Sequence, residues 1–255
     1  MALSRHAAGC ARRLQQRQHL GCPWLRAAST VAYQGVPGAF SEAAVHEYFA
    51  GDALTAVGVE TFAKVLDGII SGDFSVGVVP IEDSMTGTFH SVYDLLLERP
   101  SLRIVGGHAS TTEHCLCTVP GARIDAIAKV SSNPEILRQC RTFLDKLSAR
   151  RRKRGDSELS WVPGLNSAQC AMDLSTSGAA DMAVICSKVA ADLYGLSVVK
   201  GGSSIADTNL STRYLVVSKE PTELAFGERV KSSIVFGLPN EPMALFKAIS
   251  CFALR

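Results

Sequence analysis

From Val31 to Ser218, short β-rich runs alternate with stretches of helical periodicity, and no other feature constrains the fold as tightly. VAYQG (31–35), ALTAVG (53–58) and the continuous apolar run VGVVPI (76–81) read as strands. The last is predicted to be buried on both faces, because it carries no polar alternation. Between them, SEAAVHEYFA (41–50) opens on Ser41, a natural N-cap, and TFAKVLDGIISG (61–72) closes on Gly72. HSVYDLLLE (90–98) sets Val92, Leu95 and Leu96 at helical spacing. The pattern runs on through RIVGG, EHCLCTV, KVSS, a long helix PEILRQCRTFLDKLS (134–148), SWVPG, NSAQCAMDLS, MAVIC, SKVAADLYG, SVVKGG and STRYLVVS. Alternation at this density predicts an α/β fold with mostly parallel sheet.

The ends of the chain differ from this body. Residues 1–41 hold Arg5, Arg12, Arg13, Arg17 and Arg26 and no acid, so the net charge of +2 hides a body of 21 bases against 24 acids. An Arg-rich, acid-free start without an apolar core of about 7–15 residues matches an organellar transit peptide, not a secretory signal. A disordered basic tail or a misassigned start codon gives the same composition. Ordered structure is therefore expected from Val31, with 1–30 set apart. A second basic run, Arg150–Arg154, lacks interleaved aromatics and reads as a solvated loop insertion, not a nucleic-acid patch. After a turn-rich linker near Pro221, KSSIVFGL (231–238) predicts a new strand and MALFKAISCFALR (243–255) a helix. One strand and one helix cannot bury a core alone, so this tail reads either as part of a longer chain or as a segment borrowing a partner surface.

Several function classes are excluded. No stretch approaches the ~18 apolar residues of a membrane-spanning helix. Neither G-x-G-x-x-G nor G-x-x-x-x-G-K-[ST] occurs, which argues against nucleotide binding. The eight cysteines form no C-x-x-C pair, so zinc and disulfide frameworks are unsupported and a reduced compartment is expected. Cys115 and Cys117 fall on one strand face and read as core thiols.

Candidate chemistry gathers at strand-to-helix joints, where unpaired backbone N–H groups make ready anion sites. Gly35 and Gly38 precede Ser41; Glu82, Asp83 and Ser84 precede another helix; Asn133 and Ser167 open two more. Each alone serves equally as a plain cap, but their repetition favours a cleft for a small anion. In IADTNLSTRYLVVS, the groups Asp207, Asn209, Ser211, Thr212 and Arg213 crowd the start of an apolar strand, where an Arg can bind a carboxylate in bidentate fashion. A surface turn before an edge strand has the same composition.

Taken in order, AYQGVPGAFSE (32–42), VVPIEDSMTGTFHSVYDLL (78–96), EHCL (113–116), SSNPEILRQC (131–140), ADLYGL (191–196) and STRYLVV (211–217) resemble the prephenate dehydratase family, including the plant-type arogenate dehydratases. The tail from Lys231 resembles the opening of the family's ACT regulatory domain. The resemblance implies a two-subdomain α/β clamshell similar to type 2 periplasmic-binding proteins, over residues 31–220. Subdomain 1 would span 31–107 and 196–220, subdomain 2 would span 108–195, and an incomplete α+β ACT-like segment would follow at 229–255. It implies a lyase of phenylalanine biosynthesis that expels water and carbon dioxide from prephenate or arogenate. No cofactor or metal is expected, since aromatisation drives the elimination, and neither nucleic acid nor membrane is an expected partner. A homo-oligomer in full-length form, a phenylalanine effector only where the full ACT domain exists, and a plastid address, with mitochondrion as second choice, are implied as well.

By the family pattern, Thr212 contacts the leaving hydroxyl, Arg213 anchors a carboxylate and Glu82 is a proton source. Ser84, Ser41, Gly38, Asn209, Asn133 and Ser167 would bind the substrate, and Met243, Ala244 and Leu245 would stand in the regulatory turn. The chain departs from the pattern at Asp83, Asn133, Leu210, Tyr214 and Met243, where the family has Asn, His, Asn, Phe and Gly. A non-catalytic clamshell that senses a small aromatic or dicarboxylic acid is the alternative reading.

Overall fold

A computed structural model describes residues 29–199, 205, 210–221 and 231–254. The body, up to Thr222, is one unit built on two sheets, and residues 223–255 form a second unit. The expected leader falls almost wholly outside the described residues.

The first lobe carries β1 (Ser29–Gln34), β2 (Leu54–Val59), β3 (Val76–Asp83), β4 (Gly87–Thr88), β5 (Arg103–Thr112) and β11 (Leu210–Ser218), in the order β2-β1-β3-β11-β5 with β4 beside β3. Helices α1 (Phe40–Tyr48), α2 (Phe62–Ser71) and α3 (His90–Leu97) alternate with its strands. The second lobe orders its strands β10-β6-β9-β7-β8, from β6 (Cys115–Thr118), β7 (Lys129–Ser132), β8 (Ser160–Pro163), β9 (Met182–Cys186) and β10 (Ser197–Val198). Its helices are α4 (Pro134–Gln139), α5 (Arg141–Lys153), α6 (Ser167–Ser177) and α7 (Lys188–Leu193). The α/β fold expected from the alternation and the two lobes implied by the family resemblance are thus present.

Both sheets are mixed, which corrects the expectation of mostly parallel sheet. Pairs β1/β2, β1/β3, β7/β8 and β7/β9 are parallel, whereas β11 lies antiparallel to both β3 and β5, and β6 lies antiparallel to β9 and β10. The reason lies in the connectivity. A helical crossover returns the chain to the end where the previous strand began, so neighbours run parallel. Here the chain leaves the first sheet at the end of β5 and re-enters at that same end, with Leu210 opposite Thr112, so β11 must run the other way. The lobe boundaries also shift. Strand β5 continues in the first sheet to Thr112, five residues past the expected break, and β10 pairs with β6 in the second lobe.

Three apolar clusters hold the body. Val65, Leu66 and Ile69 of α2 pack on Ala32, Val79 and Val217. Leu137, Leu144 and Leu147 of the second lobe pack on Leu116 and Ile185. A third cluster joins Val31, Tyr33 and Phe49 of the first lobe to Cys117, Val184 and Leu174 of the second, so the lobes share a core. Strand β3 is buried nearly throughout, as its unbroken apolar run predicted. Cys115 and Cys117 are buried in the shared core, as their place on one strand face predicted.

Four local expectations need correction. Ala39, not Ser41, is the N-cap of α1, and Ser41 lies in its first turn. The long helix over 134–148 is two helices, broken at Cys140, where φ of −99° and ψ of 12° interrupt the regular geometry. The basic run is no loop, because Arg150–Lys153 form the last turn of α5, where cations complement the negative helix end. In the second unit, residues 231–239 form no strand, since a strand needs a ladder partner and none pairs with them among the described residues. The predicted helix is present as α8 (Ala244–Ala253). No helix among the described residues is long and apolar enough to cross a membrane.

Candidate active site

A cavity of about 140 Å³ opens between the lobes, on the order of the ~150 Å³ that holds a benzene ring. Three helix N-termini converge on it, contributing Ser41 of α1, Asn133 before α4, and Asn166 with Ser167 at α6. Asn133 and Asn166 are working caps: their side-chain oxygens accept from Glu135 N at 2.9 Å and Ala168 N at 2.8 Å. Helices α1 and α6 thus direct the positive ends of their dipoles at the cavity. Phe62, Phe89, Ile136 and Leu165 supply an apolar rim.

The polar floor is built where β11 meets β3. Thr212 faces Asp83 across the ladder and Arg213 faces Glu82, but Tyr214 faces Pro80, so Ile81 is the extra residue of a bulge. A bulge resets side-chain alternation. Asp83 and Pro80 consequently both line the cavity with Thr212 and Tyr214, while Ile81 packs in the core on the helix side.

Asp83, 4% exposed, is the hub of this floor. Its Oδ1 accepts from Met85 N at 3.0 Å, Thr86 N at 3.1 Å, Thr86 Oγ1 at 3.3 Å and Gln139 Nε2 at 3.2 Å. Its Oδ2 accepts from Thr212 Oγ1 at 3.2 Å, and Thr112 Oγ1 lies 3.4 Å from the same hydroxyl. The Gln139 bond crosses from the second lobe to the first, and Gln139 Oε1 lies 2.7 Å from His114 Nε2. Burial lowers the His114 pKa, outweighing the hydrogen bond to Gln139 and the charge of Asp83 that act to raise it. Burial likewise raises the Tyr214 phenol. Among the described residues no Lys or Arg lines the cavity, and no three His, Cys, Asp or Glu side chains cluster to hold a metal.

The structure brings together Thr212, Ser41, Asn133 and Ser167 as lining residues. It does not bring Arg213 or Glu82 there. They pair with each other at 2.6 Å, both about half-exposed and neither lining the cavity. Ser84 accepts from Ser211 N at 3.1 Å and ties the end of β3 to β11. Gly38 backs the site from the lobe contact, where its carbonyl accepts from Ser187 Oγ at 2.7 Å. Asn209 lies outside the described residues, as does the side chain of Leu210. Met243, at φ 68°, is the N-cap of α8, and Ala244 and Leu245 are the first two residues of that helix, in the second unit. Sequence reasoning missed His114, Gln139, Gln34 and Glu135 as lining residues. The first two sit in the EHCL and RQC segments, whose polar residues within apolar runs are the signal that could have found them.

A two-lobed fold alone hosts many chemistries, so likeness to known proteins carries the assignment. Arogenate dehydratase/prephenate dehydratase 1, chloroplastic, of Arabidopsis thaliana is 35% identical over 225 residues, covering 88% of this chain and 54% of that protein. The chain thus spans about half the length of the curated relatives it matches. The solved prephenate dehydratase of Arthrobacter aurescens, in complex with L-Phe, superposes with a TM-score of 0.71 at 26% identity, over 89% of this chain and 72% of that one. A solved protein described as a novel type of quorum-quenching acylase, GqqA, superposes at 0.65 with 25% identity, over 88% and 77%. The family model for prephenate dehydratase matches residues 31–222, which span both lobes and every cavity residue named above, and the chain therefore belongs to the prephenate dehydratase family.

Proposed function

We propose that the cavity is the active site of a lyase that converts prephenate to phenylpyruvate, or arogenate to phenylalanine, in phenylalanine biosynthesis. The observation that carries this is Thr212: its hydroxyl stands on the cavity floor opposite converging helix N-termini. In the reaction the bond from the ring to its carboxylate breaks and releases carbon dioxide. That electron pair enters the ring, which becomes aromatic as the C4–O bond breaks, and the departing hydroxide ends as water on taking a proton.

Thr212 stabilises the departing oxygen by hydrogen bonding, since a threonine hydroxyl is too weak an acid to give up its proton outright. The N-termini of α1 and α6, with Ser41 and Ser167, receive the substrate carboxylates. Asn133 and Gly38 shape the wall they meet. The Glu82–Arg213 pair acts at the strand joint beneath the site; the carboxylate-anchor role expected of Arg213 passes to the helix ends, and the departing hydroxide, stabilised by Thr212, takes its proton from solvent. The acid-free leader and the chloroplastic relatives support a plastid address. Met243, Ala244 and Leu245 are proposed as the regulatory turn for a phenylalanine effector in a homo-oligomer.

Thr212→Val, nearly isosteric, is expected to lower turnover on the order of 10²-fold or more. The assay is release of phenylpyruvate from prephenate and of phenylalanine from arogenate, run side by side with circular dichroism to confirm folding. Turnover within about threefold of the parent protein would remove Thr212 from the mechanism.

A further inference from the structure

Two buried side-chain polar atoms lack a hydrogen-bond partner among the described residues, His114 Nδ1 and Glu135 Oε1, and both residues line the cavity. Buried polar groups are paired almost without exception, so an orphan pair sharing one cavity points to a ligand. We propose that His114 is a substrate-contacting residue, a neutral imidazole whose Nδ1 lone pair accepts a hydrogen bond from an O–H or N–H donor of the bound substrate. The proposal rests on the reading of the cavity as a dehydratase site.

The tautomer follows from the chain of bonds behind the ring. Asp83 Oδ1 already gathers two backbone N–H groups and the Thr86 hydroxyl, so it meets Gln139 as an acceptor. Gln139 must therefore present its amide nitrogen to Asp83 and its oxygen to His114. An amide oxygen only accepts, so His114 Nε2 carries the ring proton. Burial at 2% exposure disfavours a second proton, and its effect on the ring is downward. Nδ1 is left as a bare, buried lone pair on a residue that lines the cavity. Phe40, edge-to-face with the imidazole at 5.3 Å, offers it no hydrogen-bond partner. Gln139 is then a positioning residue: it fixes which nitrogen accepts, and it draws that choice from Asp83.

Prephenate has one neutral donor, the ring hydroxyl, whereas arogenate adds an ammonium. The two substrates therefore distinguish which donor His114 reads. His114→Gln keeps an N–H for Gln139 while deleting the Nδ1 acceptor, and His114→Asn places an oxygen near the Nδ1 position. The expected result is a KM at least tenfold higher for His114→Gln with kcat within threefold, and partial rescue by His114→Asn. A loss on both substrates assigns the hydroxyl as donor, and a loss on arogenate alone assigns the ammonium.

Nitrogen-15 spectra of histidine-labelled protein give an independent readout. In the slow Thr212→Val background, added arogenate or prephenate is expected to move the His114 Nδ1 resonance while Nε2 stays protonated. In Gln139→Met the free protein is expected to show a mixture of tautomers. If the parent enzyme turns over its substrate but His114→Gln keeps KM within twofold and Nδ1 does not shift, the proposal is overturned and the dehydratase reading stands. If neither compound is bound or turned over by the parent enzyme, both fall together.

Discussion

At the scale of single residues, Asp83 decides how Thr212 can act. The Thr212 hydroxyl donates to Asp83 Oδ2, so its proton points into the floor and its lone pairs towards the cavity. To assist the departing hydroxyl it must turn that proton round, against a charged acceptor. Asparagine, the residue the family pattern carries there, behaves differently. Its oxygen would keep the N–H groups of Met85 and Thr86, and its Nδ2 would replace Oδ2 and donate to Thr212. The threonine proton would then be free for the substrate. A hydrogen bond to a charged acceptor is stronger than a neutral one by about 1 kcal/mol, so Asp83→Asn is predicted to raise kcat about five- to tenfold. Steady-state turnover measures it, and a fall in kcat would mean that the carboxyl itself delivers a proton. Thr212, Ser41, Asn133 and Ser167 were legible in the sequence because strand ends and helix starts mark the joints. The places of Arg213 and Glu82 were not. The side chain that a strand gives to the cavity depends on its phase, and the bulge at Ile81 sets that phase; Pro80 beside it is a signal, but a proline in a strand marks an edge or a strand start as readily as a bulge.

At the scale of elements, α5 shows where reading by composition breaks down. Five consecutive bases suggest a solvated loop, yet four of them complete the last helical turn, and the second, Arg151, is buried. Arg151 donates from Nη1 to Ile127 O at 2.6 Å and from Nε to Ser157 O at 2.9 Å, tying the helix end to the approaches of β7 and β8. Those carbonyls have given up water, so deleting their donor leaves acceptors unsatisfied at about 1–3 kcal/mol. Arg152 is 63% exposed, with an ion pair to Glu158 at 3.7 Å, and surface pairs contribute about 0–1 kcal/mol. Arg151→Ala is therefore expected to cost several times what Arg152→Ala costs, compared by urea unfolding at equal ionic strength. Equal losses would return the whole run to the solvated surface. Charge alone could not separate the two. The helical phase does, because Arg151 follows Leu144, Leu147 and Ser148 on the buried face.

At the scale of the molecule, the site exists only while the lobes meet, since Thr212 and Asp83 belong to one and Asn133 and Gln139 to the other. Close backbone approach makes that meeting possible. Gly38, at φ +88°, lets the Cα of Ala190 come so near that a Cβ on the glycine would stand 2.8 Å from it. Around this contact, Ser187 Oγ donates to Gly38 O at 2.7 Å and Tyr194 OH to Pro37 O at 2.8 Å. The sequence marked Gly38 as a substrate contact, for a glycine before a helix looks the same whether a ligand or a second lobe fills the space. Gly51 provides the control, because it has a similar φ of +94° but no atom within 4 Å of its would-be Cβ. Gly51→Ala should therefore lose only the left-handed backbone term, about 1–2 kcal/mol. Gly38→Ala carries the same term and adds overpacking against backbone that cannot yield as a side-chain tip can, typically about 1–3 kcal/mol more. It should also raise KM, since parting the lobes separates Ser41 from Ser167, whereas Gly51→Ala should leave KM unchanged. Paired unfolding curves and substrate titrations decide it: if both variants lose the same stability and keep the same KM, the glycine contact does not hold the cleft, and the shared apolar cluster alone must set the distance between the lobes.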